Sequence, residues 1–226
     1  MKKYKVLKIS ILTLLLLLGL SVFLLGCMNF RKSTAKLDKE MSKENLNVEI
    51  KNDSYKNWKG RYLHYKIDES LPTMVFIHGA PGSATAFTEY IKDSALNQYY
   101  NIIVFDRIGY GYSSLGEYAG IIDQSGRIAK VLTEKVKNKL ILVGHSFGGP
   151  IAAYTSMLLK NKVIGTIMIA PAIDPENEKY FPGGKLAYWK GTRWLFSKAW
   201  RVSAEEKYKH TKELVNLKDV WEKIQT

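Results

Sequence analysis

The 226-residue chain has a single cysteine, Cys27, and only four histidines. A lone thiol excludes an internal disulfide and any zinc site of the cysteine-rich kind, so no metal is expected. The first thirty residues contain four lysines and no acid. The net charge of +13 is considerable but has no focus. Each of the four regions 1–30, 31–70, 71–174 and 175–226 carries a modest basic excess, and the middle of the chain is nearly neutral. A nucleic-acid binder would gather its cations on one stripe or helix, so that class of partner is not expected. Disorder is excluded too: 46% of residues are hydrophobic and 12% aromatic, enough for a packed core.

The N-terminus reads as an address. Lys2, Lys3, Lys5 and Lys8 precede an uncharged run from Ile9 to Phe30, which is excluded from fold reasoning. Leu24-Leu25-Gly26-Cys27 resembles the lipobox of bacterial lipoproteins, which makes Cys27 a lipidation candidate. The alternative is an uncleaved signal anchor, since about twenty apolar residues span a bilayer. Either way residues 1–30 are expected to attach the chain to a membrane, with the remainder outside the cytoplasm. Residues 31–46, polar and of mixed charge, read as a solvated, partly helical tether.

From about residue 47 strand and helix alternate. "RYLHYKID" (61–68) alternates as an edge strand would, whereas "TMVFIHG" (73–79), "YNIIVFD" (100–106), "KLILVGH" (139–145) and "VIGTIMIAPA" (163–172) are short continuous apolar runs. Such runs fit a parallel sheet covered on both faces. Helical stretches at 83–98, 119–137 and 147–160 separate them, which predicts an α/β fold.

Three glycine-punctuated motifs sit at strand ends. "GHSFGG" (144–149) follows one strand and opens a helix, the context of a nucleophile elbow. Gly144 and Gly148 flank Ser146 because side chains there would crowd the strand and helix that meet at a sharp turn. "FIHGAPGS" (76–83) places glycines at 79 and 82, and "FDRIGYGYSS" (105–114) ends the following strand. Together, in this order, the three motifs resemble the α/β-hydrolase superfamily over roughly residues 60–226. The resemblance implies a three-layer α/β sheet with Ser146 as nucleophile and the backbone N–H groups of Ala80 and Phe147 as oxyanion donors. It implies hydrolysis of an ester or related acyl bond in a small-molecule substrate, with no cofactor. Serine rather than aspartate at the elbow favours acyl chemistry over dehalogenation or epoxide opening.

In this superfamily the triad acid follows the seventh strand and the histidine the eighth. "VIGTIMIAPA" reads as the sixth strand, and residues 175–226 resemble the helical lid inserted before the seventh. The sheet is therefore expected to be incomplete at its C-terminal edge, with the base for Ser146 beyond the chain's last residue. A catalytically inactive fragment or a binding module is the alternative to an enzyme. No histidine present is expected to serve: His78 as a packing residue, His145 directed away from the hydroxyl, His64 part-exposed on a strand, and His210 on the solvated face of a helix. Asp174, after the sixth strand, is where some members of the superfamily place the triad acid, but it reads first as a turn residue before Pro175. The division expected is 1–30 anchor, 31–46 tether, 47–174 core and 175–226 lid. Lid aromatics such as Trp189, Trp194 and Trp200 either line an acyl pocket or dock the lid on the core. "WRVSAEEKYKHTKELVNLKDVWEKI" (200–224) reads as two helices, with Ser203 as N-cap of the second.

Overall fold

The computed structural model describes residues 8, 10–14, 16–17, 19–20, 30–178 and 182–217. Cys27, Tyr180, Phe181 and Trp221 lie outside them. Among the described residues no helix is long and apolar enough to cross a membrane.

Six strands form one sheet. β1 (Val48–Tyr55) and β2 (Trp58–Tyr65) make an antiparallel hairpin, followed by β3 (Thr73–Ile77), β4 (Asn101–Phe105), β5 (Leu140–His145) and β6 (Val163–Ile169). The spatial order is β1-β2-β4-β3-β5-β6. β2 meets β4 antiparallel, and the pairs β3–β4, β3–β5 and β5–β6 are parallel. β3 and β4 are buried at every position, as continuous β-branched and aromatic runs require when helices cover both faces.

Period-two alternation sorts these strands into two cores. Val75, Ile77, Ile103 and Phe105 face α3 (Ile121–Lys135) and α4 (Gly148–Leu158), which follow α1 (Thr34–Lys43) and α2 (Thr88–Lys92) in the chain. Met74, Phe76, Ile102 and Val104 face the other way, onto Leu37 and Met41 of α1 and Ile91 of α2. The sheet is thus the middle of three layers. It is an α/β fold with the expected sixth strand in its expected place.

Three expectations need correction. Residues 34–43 are not a solvated tether: α1 buries Leu37 completely and Met41 almost so, because their four-residue spacing puts both on one helical face. Among the described residues of the 200–224 stretch there is no helix start at Ala204: one continuous helix, α6 (Lys198–Asn216), runs through it, after α5 (Pro182–Tyr188). Ser197 caps it by accepting from Trp200 N, and Ser203 lies inside it. α6 buries Val202, Glu206, His210 and Leu214, a four-residue rhythm along one stripe. Hydrophobic residues alone do not reveal that stripe, because two of its four members are polar. Third, His64 is buried, at 8% exposure, on β2, which is paired with β1 on one side and β4 on the other.

β6 is the sheet's outer edge among the described residues. Ile164, Ile167, Met168 and Ile169 are exposed on it, between 39% and 59%.

Candidate active site

Between β5 and α4 the chain reverses direction at Ser146, whose φ is +50°. Non-glycine residues rarely occupy this left-handed region, and they persist there only when their surroundings hold them. Ser146 N donates to Ile169 O (3.0 Å), while Ser146 O accepts from Gly149 N (2.9 Å) and Ala172 N (3.1 Å). The flanking glycines have the steric role anticipated for them. A Cβ on Gly144 would lie 2.3 Å from Gly148 O, and one on Gly148 would lie 2.1 Å from Ile77 O.

The loop after β3 passes over the serine. A Cβ on Gly79 would stand 3.0 Å from Ser146 Cβ, so Ala80 follows directly beside the elbow. Neither Ala80 N–H nor Phe147 N–H donates to a backbone acceptor among the described residues. Ser146 Oγ, part-exposed, likewise has no partner among them. Ser146 Oγ and these two N–H groups are therefore without a hydrogen-bond partner among the described residues.

Asp106 and Arg107 fix this geometry from beneath. Asp106, fully buried, accepts from Ala84 N (2.7 Å), Arg61 Nε (2.7 Å) and Tyr112 N (3.0 Å), tying the loops after β3 and β4 together. Gly111, at φ +55°, allows the approach, since a Cβ there would overlap the Asp106 carboxylate. Arg107 N donates to His78 Nε2 (3.1 Å), so the proton of His78 is on Nδ1, which donates to Gly79 O (2.6 Å). Burial first, then the Arg107 charge, hold His78 well below the usual imidazole range. His78 is a neutral structural residue, as expected.

Helix α6 completes the surroundings. Glu206 receives both terminal nitrogens of Arg107 (2.8 and 2.9 Å), the Tyr110 hydroxyl (2.5 Å) and Gln124 Nε2 (3.2 Å). Burial opposes the charge on Arg107, and the adjacent Glu206 carboxylate more than restores it. Burial and then Glu206 push the Tyr110 hydroxyl well upward. Further along, Glu213 accepts from Ile121 N (2.8 Å) and from the Tyr118 hydroxyl. It therefore caps α3, whose own N-cap, Gly120, has no side chain for the purpose.

His210 is the principal departure from the sequence reading. It is 5% exposed instead of solvated. Its Nε2 donates to Ala172 O (2.7 Å) and its ring packs edge-on against Phe147, with centroids 4.5 Å apart. Burial lowers its pKa and the Ala172 carbonyl partly opposes that. The spacing 202, 206, 210, 214 is the signal that would have placed it inward. The remaining candidates sit as anticipated. His145 is exposed and does not bond Ser146, and Asp174 is an exposed turn residue accepting from Glu176 N (2.9 Å) and Asn177 Nδ2 (2.6 Å). Among the described residues no cluster of three or more His, Cys, Asp or Glu side chains could hold a metal.

The sequence profile described as alpha/beta hydrolase fold matches residues 72–201, which include all three motifs. The chain belongs to the alpha/beta hydrolase fold family. A protein of Oryza sativa subsp. japonica named "Probable 1-acylglycerol-3-phosphate O-acyltransferase" is 30% identical over 138 residues, covering 55% of this chain and 32% of that protein. The chain thus spans about a third of the length of that relative. Among solved structures, a membrane phospholipase A described as a bacterial virulence factor superposes with a TM-score of 0.55 at 17% identity, covering 96% of this chain and 76% of the other. A protein from Acinetobacter baumannii AYE assigned provisionally as a lipase gives 0.56 at 17% identity, over 89% and 74% of the two chains. At these identities the likeness is one of fold.

Proposed function

We propose that this alpha/beta hydrolase uses Ser146 to cleave a carboxylic ester or related acyl bond in a small-molecule substrate. The observation that carries the proposal is the free Ser146 hydroxyl on a strained elbow, facing the loop that presents Ala80. Ser146 Oγ attacks the acyl carbon and its proton leaves with a base. The carbonyl oxygen becomes an oxyanion between Ala80 N–H and Phe147 N–H, where one such donor is worth roughly 3 kcal/mol in the transition state. Collapse expels the alcohol, and water then releases the acid from the acyl-enzyme. The helices after β6 act as a lid on this site. Lipase and phospholipase names among the fold neighbours, and an acyltransferase name in the sequence relative, support acyl substrates as the class. The uncharged run from Ile9 to Phe30 supports attachment of the domain to a membrane.

One observation favours a second reading. Among the described residues no side chain bonds Ser146 Oγ, so a non-catalytic pocket that binds acyl compounds is the alternative. Hydrolysis of p-nitrophenyl esters of graded acyl length decides between them. Turnover above background that disappears in Ser146→Ala supports the hydrolase. Binding of these esters with turnover equal to that of Ser146→Ala supports the binding module.

A further inference from the structure

The turn that joins α5 to α6 faces outward with the two most exposed tryptophans among the described residues. Trp189 is 64% and Trp194 69% exposed, and Leu186 and Tyr188 beside them are 51% and 45% exposed. They neither dock the lid on the core nor line an enclosed pocket. The turn itself is well bonded. Arg193 N donates to Trp189 O (2.9 Å), Trp194 Nε1 to Gly191 O (3.0 Å), and Arg201 Nε to Phe196 O (2.8 Å). The exposed rings are therefore held on an ordered support.

The charge around them has one sign. From residue 182 to 204 there is no Asp or Glu, while Lys185, Lys190, Arg193, Lys198 and Arg201 are all basic. None of the five is in an ion pair among the described residues. α1 and α3, by contrast, carry both signs.

Exposed indoles, exposed leucine and unopposed cations meet the requirements of a phospholipid interface. Indole rings settle at headgroup depth, apolar side chains enter the acyl boundary, and lysines and arginines meet lipid phosphates. A single-stranded nucleic acid would use the rings and cations but not Leu186 or Leu195, which offer no π-face to a base. We propose that residues 185–198 form a docking surface for an anionic phospholipid bilayer. This surface is separate from the apolar N-terminal run and does not depend on Ser146. Because α6 leaves the turn at Lys198 and reaches Arg107 and Phe147 through Glu206 and His210, docking there fixes how the elbow faces the lipid.

The N-terminal segment contains no tryptophan, the first being Trp58, so tryptophan fluorescence does not report on that segment. The full chain is mixed with phosphatidylcholine vesicles, with and without phosphatidylglycerol, carrying plain or brominated acyl chains. Bromine should quench the emission only in the anionic vesicles. Trp189→Ala/Trp194→Ala should lose that quenching while melting at the wild-type temperature. Lys190→Gln/Arg193→Gln should weaken it by about fivefold for each cation removed. Vesicle binding with unquenched tryptophans would overturn the proposal, since the N-terminal segment alone would then be making the contact. Quenching that persists in the double tryptophan variant would do the same. So would a lipid-independent blue shift that grows with protein concentration, or binding of an oligonucleotide in place of lipid.

Discussion

His210 lies edge-on against Phe147, 4.5 Å between ring centroids, and its Nε2 hydrogen-bonds the Ala172 carbonyl. Ala172 N in turn donates to Ser146 O. The last described helix is thereby joined to the strained elbow through two hydrogen bonds and one ring contact. A histidine that looks like surface in the sequence is part of what holds the turn at Ser146.

That burial has a pH signature. His64, His78 and His210 all have lowered pKa values in the folded chain, with burial the largest cause for each. Above the ordinary histidine value both folded and unfolded states are neutral there, and no stability depends on these groups. As pH falls through about 6.5 the unfolded chain takes up protons that the folded chain resists, so stability declines. Each group contributes at most about 1.4 kcal/mol per pH unit. Urea midpoints measured from about pH 7.5 down to about 5.5, above the carboxylate range, should fall, and His210→Asn should flatten the slope. A flat profile would show that the histidines are solvated.

Arg107 and Glu206 should behave as a unit. Glu206→Ala leaves a buried guanidinium without its carboxylate, and breaking such a pair typically costs about 3–5 kcal/mol. Arg107→Met/Glu206→Leu removes both charges and should recover much of that loss. A double-mutant cycle on denaturant stability measures the coupling. Additive single effects would contradict a bonded pair.

Glycine at position 148 should be irreplaceable, whereas glycine at 165 should not. Gly148→Ala forces a Cβ onto Ile77 O, whereas Gly165→Ala on β6 meets nothing within 4 Å. Thermal melts should show the first variant strongly destabilised. The second should be unchanged or slightly more stable, by about 0.5 kcal/mol.

Leu37→Ala distinguishes a packed α1 from a tether. Truncating a fully buried leucine costs about 2–5 kcal/mol, and chemical denaturation should show a loss in that range. A change within experimental error would restore the tether.

The strand runs at 73–79, 100–106 and 139–145 were legible because β3 to β5 are largely buried and read as unbroken apolar segments, and the run at 163–172 because it is equally apolar although β6 is exposed. The elbow was legible because only glycine fits at 144 and 148. β1 was not, since "VEIKNDSY" is largely polar and takes its structure from pairing with β2. α1 was obscured by eight polar or small residues around two buried ones. The inward face of α6 escaped because Glu206 and His210 are buried by partners on other elements, Arg107, Tyr110 and Phe147, which no local pattern announces.

Reaction with a fluorophosphonate, followed by intact mass and peptide mapping, tests the central claim most directly. If Ser146 is an activated nucleophile, the folded chain gains one phosphonyl group on the peptide carrying Ser146, and Ser146→Ala gains none. A folded chain that stays unmodified, or an adduct that persists in Ser146→Ala, would contradict the assignment and leave the binding reading in its place.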